Sequence, residues 1–162
     1  MKNFSTSSAL FSRKMSLNVG GQVWELDQAL VMGIINATPD SFYEGSRLPH
    51  PDTALEVAGR MLSEGATILD VGAVSSRPGA EDISEEEEIH RLTPVLEAIR
   101  NAFPDCMISL DTWRSRVAQT MHERFGIQMV NDISAGQLDP QMFTTMAGLE
   151  LPYVMMHLHA TP

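Results

Sequence analysis

Polar side chains of this chain gather at the downstream ends of its short apolar runs. After Leu30–Ile35 come Asn36, Thr38, Asp40 and Ser41. After Thr67–Val71 come Gly72, Ser75, Ser76, Arg77, Pro78 and Gly79. Met107–Leu110 is followed by Asp111 and Thr112, Ile127–Val130 by Asn131 and Asp132, and Tyr153–Met156 by His157. The upstream ends of the same runs are blander. Asn and Asp offer paired donors and acceptors that read the edge of a flat heteroaromatic ring, as they read bases. Arg77, the N–H groups of a glycine-bearing loop and a hard cation suit a diphosphate. Singly, such residues as often cap a helix or tighten a turn. Five in series point to a binding rim.

Other chemistries find little support. Ser, His and Asp do not form a nucleophilic triad, and neither a dinucleotide fingerprint nor a phosphate-binding Walker loop occurs. His157 and His159 share a face if their strand continues, but two ligands do not make a zinc site. Cys106 is the single cysteine, which rules out an intrachain disulfide and reads as a buried thiol. The set serves to bind and orient a polar ring and an anion.

The elements that must carry this rim follow from periodicity. The five apolar runs are short and bounded by turn residues, as in strands buried on both faces. Upstream, Leu17–Val19 and Gln22–Leu26 flank Gly20-Gly21, which predicts a hairpin. Helices separate the strands. One starts at Pro51-Asp52 and is capped by Gly65. The next opens with Ser84 and Glu87 as a capping box, and Glu85–Glu88 reads as acids favoured at a helix N-terminus rather than as a metal site. A third carries Val117, Met121 and Phe125 and stops at Gly126. A fourth starts at Asp139-Pro140 and buries Met142, Phe143 and Met146. Strand–helix alternation of this kind means a parallel sheet. The pattern leaves open whether that sheet is doubly wound or closed as a (β/α)8 barrel.

The chain of 162 residues is long enough for one domain with a real core. A net charge of −10 argues against non-specific nucleic-acid binding. No run approaches the roughly 18 apolar residues of a membrane span. Residues 1–16 are Ser- and Thr-rich and carry Lys2, Arg13 and Lys14; they are expected to be a disordered extension before a domain spanning 17–162.

Met32-Gly33-Ile34-Ile35-Asn36-Ala37-Thr38-Pro39-Asp40-Ser41-Phe42 resembles the signature of the dihydropteroate synthases. Gly65–Gly72 with Ser75–Ala80 echoes the second signature, and Ile108–Thr112, Val130–Ser134 and Met155–His157 follow in the family's order. The resemblance implies a (β/α)8 TIM barrel with an N-terminal hairpin, of which about the first five strands are present here. It implies condensation of 6-hydroxymethyl-7,8-dihydropterin diphosphate with p-aminobenzoate in folate biosynthesis. Asn36 would meet the diphosphate and its Mg2+. Asp111 and Asn131 would hydrogen-bond the pterin, with Ile133 and Met156 packing near it. The loop from Thr38 through Asp40 to Arg47 would close over the site, and Phe42 and Glu44 would help form the p-aminobenzoate pocket. Ser76, Arg77 and Pro78 would line that pocket, where sulfonamides bind in the family. Asn36, Asp111 and Arg77 are the expected catalytic set, and a cytoplasmic homodimer the expected setting.

Two departures stand out. Where the second signature has Gly-Glu-Ser-Thr, this chain has Ala73-Val74-Ser75-Ser76. The family's later Asp, Lys and Arg-x-His lie beyond Pro162. An inactive truncated fragment is the first alternative, and another pterin-binding methyltransferase domain the second.

Overall fold

The computed structural model describes residues 15–38, 51–75 and 83–156. Strands β1 (Met15–Val19) and β2 (Gln22–Leu26) form the expected antiparallel hairpin. Gly20 and Gly21 both hold positive φ, at 57° and 82°, the conformation a tight hairpin turn demands. Strand β1 starts at Met15, two residues upstream of the expected boundary at 17, because Met15 and Ser16 pair with Leu26 and Glu25.

Five parallel strands follow: β3 (Met32–Asn36), β4 (Ile68–Gly72), β5 (Met107–Asp111), β6 (Met129–Asp132) and β7 (Tyr153–Met155). Their order in the sheet is β3-β4-β5-β6-β7. Strict sequence order decides between the two architectures. A doubly wound sheet reverses direction at a switch point, whereas a barrel winds one way. The sheet is therefore of the barrel type.

Its connecting helices are α1 (Pro51–Ser63), α2 (Glu85–Ala102), α3 (Ser115–Phe125) and α4 (Met142–Leu149). Strand periodicity sorts the residues between two faces. Ile35, Leu69, Val71, Ile108, Leu110 and Val130 meet Ala58 of α1, Leu92, Leu96 and Ile99 of α2, and Val117 and Met121 of α3 in the main core. On the opposite face, the amino ends of the strands present Ile68, Met107 and Met129. There the hairpin closes the core with Val19, Leu17 and Trp24. That covering leaves the carboxyl ends as the place for a ligand.

Helix ends largely follow the sequence. Ser84 caps α2 by accepting the Glu87 N–H at 3.2 Å. Gly126 ends α3 in the left-handed region at φ 61°. Two expectations need correction. Helix α4 starts at Met142, and the Asp139 carboxylate is divided: one oxygen accepts Gln141 N–H at 2.8 Å, the other caps α3 by accepting Ser115 N–H at 2.7 Å. Phe143 is not buried. It is 52% exposed and lays its ring edge-on to Tyr153, so α4 turns only Met142 and Met146 into the core.

Candidate functional site

Register places three of the expected site residues in one row. Asn36 pairs with Gly72, Gly72 with Asp111 and Asp111 with Asn131, all at the carboxyl ends of their strands. Each is an even number of residues from the hairpin-covered positions, so all four belong to the inner face. Gly72 makes room within the row: a Cβ there would stand 3.0 Å from both Cβ and Oδ2 of Asp111. The Asp111 carboxylate thus leans over the β4 backbone.

One layer deeper, Ile34, Asp70, Ser109 and Met129 form the next row. Asp70 is only 3% exposed. Its Oδ2 accepts the Asn131 Nδ2–H at 2.9 Å, which sets the face that the Asn131 amide presents. Asp70 Oδ1 and the Ser109 hydroxyl are buried without a partner. Buried polar atoms of this kind are uncommon in native folds and point to a ligand or water.

The site is acidic. Burial drives the Asp111 carboxyl up to about 7, and the negative charges of Asp70, Glu88 and Asp132 push the same way. A carboxyl poised there exchanges a proton near neutrality and can serve as donor or acceptor toward a ring N–H or ring nitrogen.

The loop after β6 is organised by Asp132. Its carboxylate accepts Ser134 N–H at 2.6 Å, Gly136 N–H at 2.8 Å and the Tyr153 hydroxyl. This holds half-buried Ile133 at the rim. Met156 is tied to the same residue, donating its N–H to the Asp132 carbonyl at 3.0 Å. Thr38 follows β3, half-buried, and Ala37 N–H reaches Gly72 O at 2.6 Å. Asp40, Phe42, Glu44, Ser76, Arg77, Pro78 and His157 lie outside the described residues, as does most of the Thr38–Arg47 loop.

Two residues of this neighbourhood escaped the sequence reading. Asp70 sits inside the apolar run Thr67–Val71, where a lone charge in a strand buried on both faces is itself a signal. Glu88 stands among acidic neighbours that read as helix-end chemistry. That holds for Glu85 and Glu86, which pair with Arg116, and for Glu87, which pairs with Arg91. It fails for Glu88, which is fully buried against Arg114.

Among the described residues no cluster of His, Cys, Asp or Glu could hold a metal ion, and no helix is long and apolar enough to cross a membrane. Comparisons with known proteins bear on the chemistry. Residues 32–162 match the family model described as pterin binding enzyme. The chain is 49% identical over 138 residues to the mitochondrial folate synthesis bifunctional protein of Pisum sativum, covering 83% of this chain and 26% of that protein. It is 41% identical over 148 residues to dihydropteroate synthase of Haemophilus influenzae, covering 91% of this chain and 53% of that one. Among solved structures, dihydropteroate synthase of Xanthomonas albilineans with 4-aminobenzoic acid superposes with a TM-score of 0.80 at 34% identity, over 91% of this chain and 53% of that chain. The Yersinia pestis enzyme in a sulfonamide complex gives 0.78 at 40% identity, with the same coverage of each chain. The chain spans between about a quarter and about half the length of these relatives.

Proposed function

The chain belongs to the pterin-binding enzyme family, and from that premise we propose that it is the pterin-holding part of a dihydropteroate synthase. The protein then condenses 6-hydroxymethyl-7,8-dihydropterin diphosphate with p-aminobenzoate, releasing diphosphate. One observation carries the reading: Asn36, Asp111 and Asn131 stand in a single inner-face row at the carboxyl ends of their strands.

Asp111 and Asn131 bind the edge of the pterin ring. Asp70 fixes the Asn131 amide from below. The orphaned Asp70 oxygen and Ser109 hydroxyl supply further polarity on the floor of the pocket. Ile133 and Met156 flank the ring. Asn36, exposed at the end of β3, faces the diphosphate. Its amide oxygen is a hard donor of the kind Mg2+ accepts, and Mg2+ commonly takes only one or two protein ligands beside water and phosphate oxygens. When bound, that ion neutralises charge on the departing diphosphate. The C–O bond to diphosphate breaks first, the bonding pair leaving with the diphosphate. The aromatic amine then traps the carbocation-like methylene carbon, and its surplus N–H proton passes to solvent or to the released diphosphate. No protein nucleophile is needed; the side chains orient the pterin and the leaving group.

Thr38, Asp40, Phe42 and Glu44 on one loop, and Ser76, Arg77 and Pro78 on the other, complete the p-aminobenzoate side, where sulfonamides compete. Arg77 adds a cationic contact to the anion. The whole enzyme is a cytoplasmic homodimer in this reading, its ligands small molecules.

The test is diphosphate release by this chain with Mg2+, the pterin diphosphate and p-aminobenzoate. Release that requires p-aminobenzoate and falls at least about 100-fold in Asn36→Ala is expected, the scale for losing a group that stabilises a leaving anion. Release independent of p-aminobenzoate overturns the reading. A second reading, in which the chain binds the pterin without turning it over, is favoured by the openness of the inner face, where Ile34 is 62% exposed. Calorimetric pterin binding with no release selects it.

A further inference from the structure

The buried ion pair of Glu88 and Arg114 is unexplained by the chemistry above. Glu88 lies on the first turn of α2 and is fully buried, while Arg114 precedes α3 and is 9% exposed. Burial pushes the Glu88 carboxyl up, while the side chains of Thr112 and Arg114 hold it down. Removing two charges from water costs several kcal/mol per ion, and apolar residues of similar size often serve stability as well or better. The pair therefore calls for a role besides stability.

Its connections supply one. Arg114 Nη1 donates to Glu88 Oε2, and Nη2 donates to the Ile83 carbonyl at 2.6 Å. Arg114 N–H donates to Thr112 Oγ1 at 3.2 Å, and its guanidinium lies 5.0 Å from the Trp113 ring centre. Thr112 N–H reaches the Asn131 carbonyl at 3.1 Å. The turn that begins at Asp111 is thus pinned to α2 on one side and to β6 on the other. In sequence, Ile83 directly follows the stretch that contains Ser76, Arg77 and Pro78.

We propose that Glu88 and Arg114 are positioning residues: their buried pair clamps the Asp111–Arg114 turn to the start of α2 and so sets where the Asp111 carboxylate meets its ligand. The proposal rests on the reading of Asp111 as a pterin-binding group.

The experiment compares Glu88→Gln, Arg114→Lys and the double variant Glu88→Leu/Arg114→Met with the unaltered chain. Thermal midpoint, amide exchange at Thr112, whose N–H is bonded to the Asn131 carbonyl, and calorimetric affinity for the pterin diphosphate are measured. Glu88→Gln strands a buried cation and lowers the midpoint. The double variant removes both charges and recovers it. The clamp predicts that the recovered double variant still exchanges the Thr112 amide about tenfold faster and binds the pterin about tenfold more weakly, as when a supporting contact to a binding group is lost. Arg114→Lys keeps the charge, loses the fork, and falls between. Recovered stability with unaltered exchange and affinity overturns the proposal. Absence of pterin binding by the unaltered chain sinks the functional reading instead, and the exchange data alone then judge the clamp: faster exchange supports it, unchanged exchange refutes it.

Discussion

Replacing Gly72 with alanine probes the packing on which the site row depends. The added methyl would sit 3.0 Å from Cβ and Oδ2 of Asp111 and 3.3 Å from its Cγ, where ordinary contacts begin at 3.4 Å. The carboxylate oxygen can rotate away. The Asp111 Cβ cannot, because it is rooted on β5, so one strand must give by a few tenths of an ångström against a filled core. Overpacking of this sort costs about 1–3 kcal/mol. The rotation of the carboxylate should also lower pterin affinity by about tenfold, or ~1.4 kcal/mol. Urea unfolding and calorimetric titration measure the two effects separately. A cycle with Asp111→Gly sharpens the result: removing the opposing Cβ relieves the clash, so the two substitutions should be non-additive by about 0.5–3 kcal/mol, as expected for side chains in contact. Additive penalties, or a Gly72→Ala chain of unaltered stability and affinity, would refute the packing argued for this row.

The raised Asp111 carboxyl makes stability depend on pH in a definite direction. Its value rises from 3.8 to about 7 on folding, so across that window the unfolded chain has released a proton that the folded chain retains. Stability therefore falls as pH rises from about 4 to about 7, with a limiting slope of ~1.4 kcal/mol per pH unit from this group. Subtracting the urea-derived profile of Asp111→Asn should isolate that slope, and identical profiles would contradict it. Ser84→Ala removes the acceptor of the Glu87 N–H and should cost about 1 kcal/mol in urea unfolding; no loss would mean that another group caps α2.

Much of the architecture was legible because local chemistry and global fold agree. Ser84, Gly126 and the Gly20-Gly21 pair each hold the conformation their residue type favours, and the polar residues after the apolar runs do end parallel strands. What escaped was decided by contacts between distant segments. Asp139 looks like the cap of the helix it precedes, yet one of its oxygens caps α3, a partner that only the packing of two βα units supplies. Phe143 has the right type for the buried stripe of α4, but the short helix turns it toward Tyr153 and solvent. Glu88 is chemically indistinguishable from Glu85–Glu87 in the sequence, and only its position on the inward stripe of α2 separates it from them. Within the candidate site, the place of Asn36, Asp111 and Asn131 after apolar runs marks them in the sequence, and strand register sets them in one row. Asp70 was hidden inside one, since a continuous run does not reveal which face each residue takes until strand register is known.

The one-way strand order also bears on how the molecule is assembled in time. Within the five-stranded sheet, each strand from β4 onward docks beside the one made just before it: Ile34 lies against Asp70, Asp70 against Ser109, Val130 against Tyr153. Among the described strands of the sheet, no early one waits for a late one to be threaded between two neighbours, as a sheet with a switch point requires. Apart from the hairpin, which closes on the amino ends of β4, β5 and β6, the loops to be closed are those within single βα units, so the entropic cost of ordering the sheet is spread over small steps. A chain wound in this way can add to its sheet as it leaves the ribosome, and the inner-face row grows in the same direction, from Asn36 to Asp111 to Asn131.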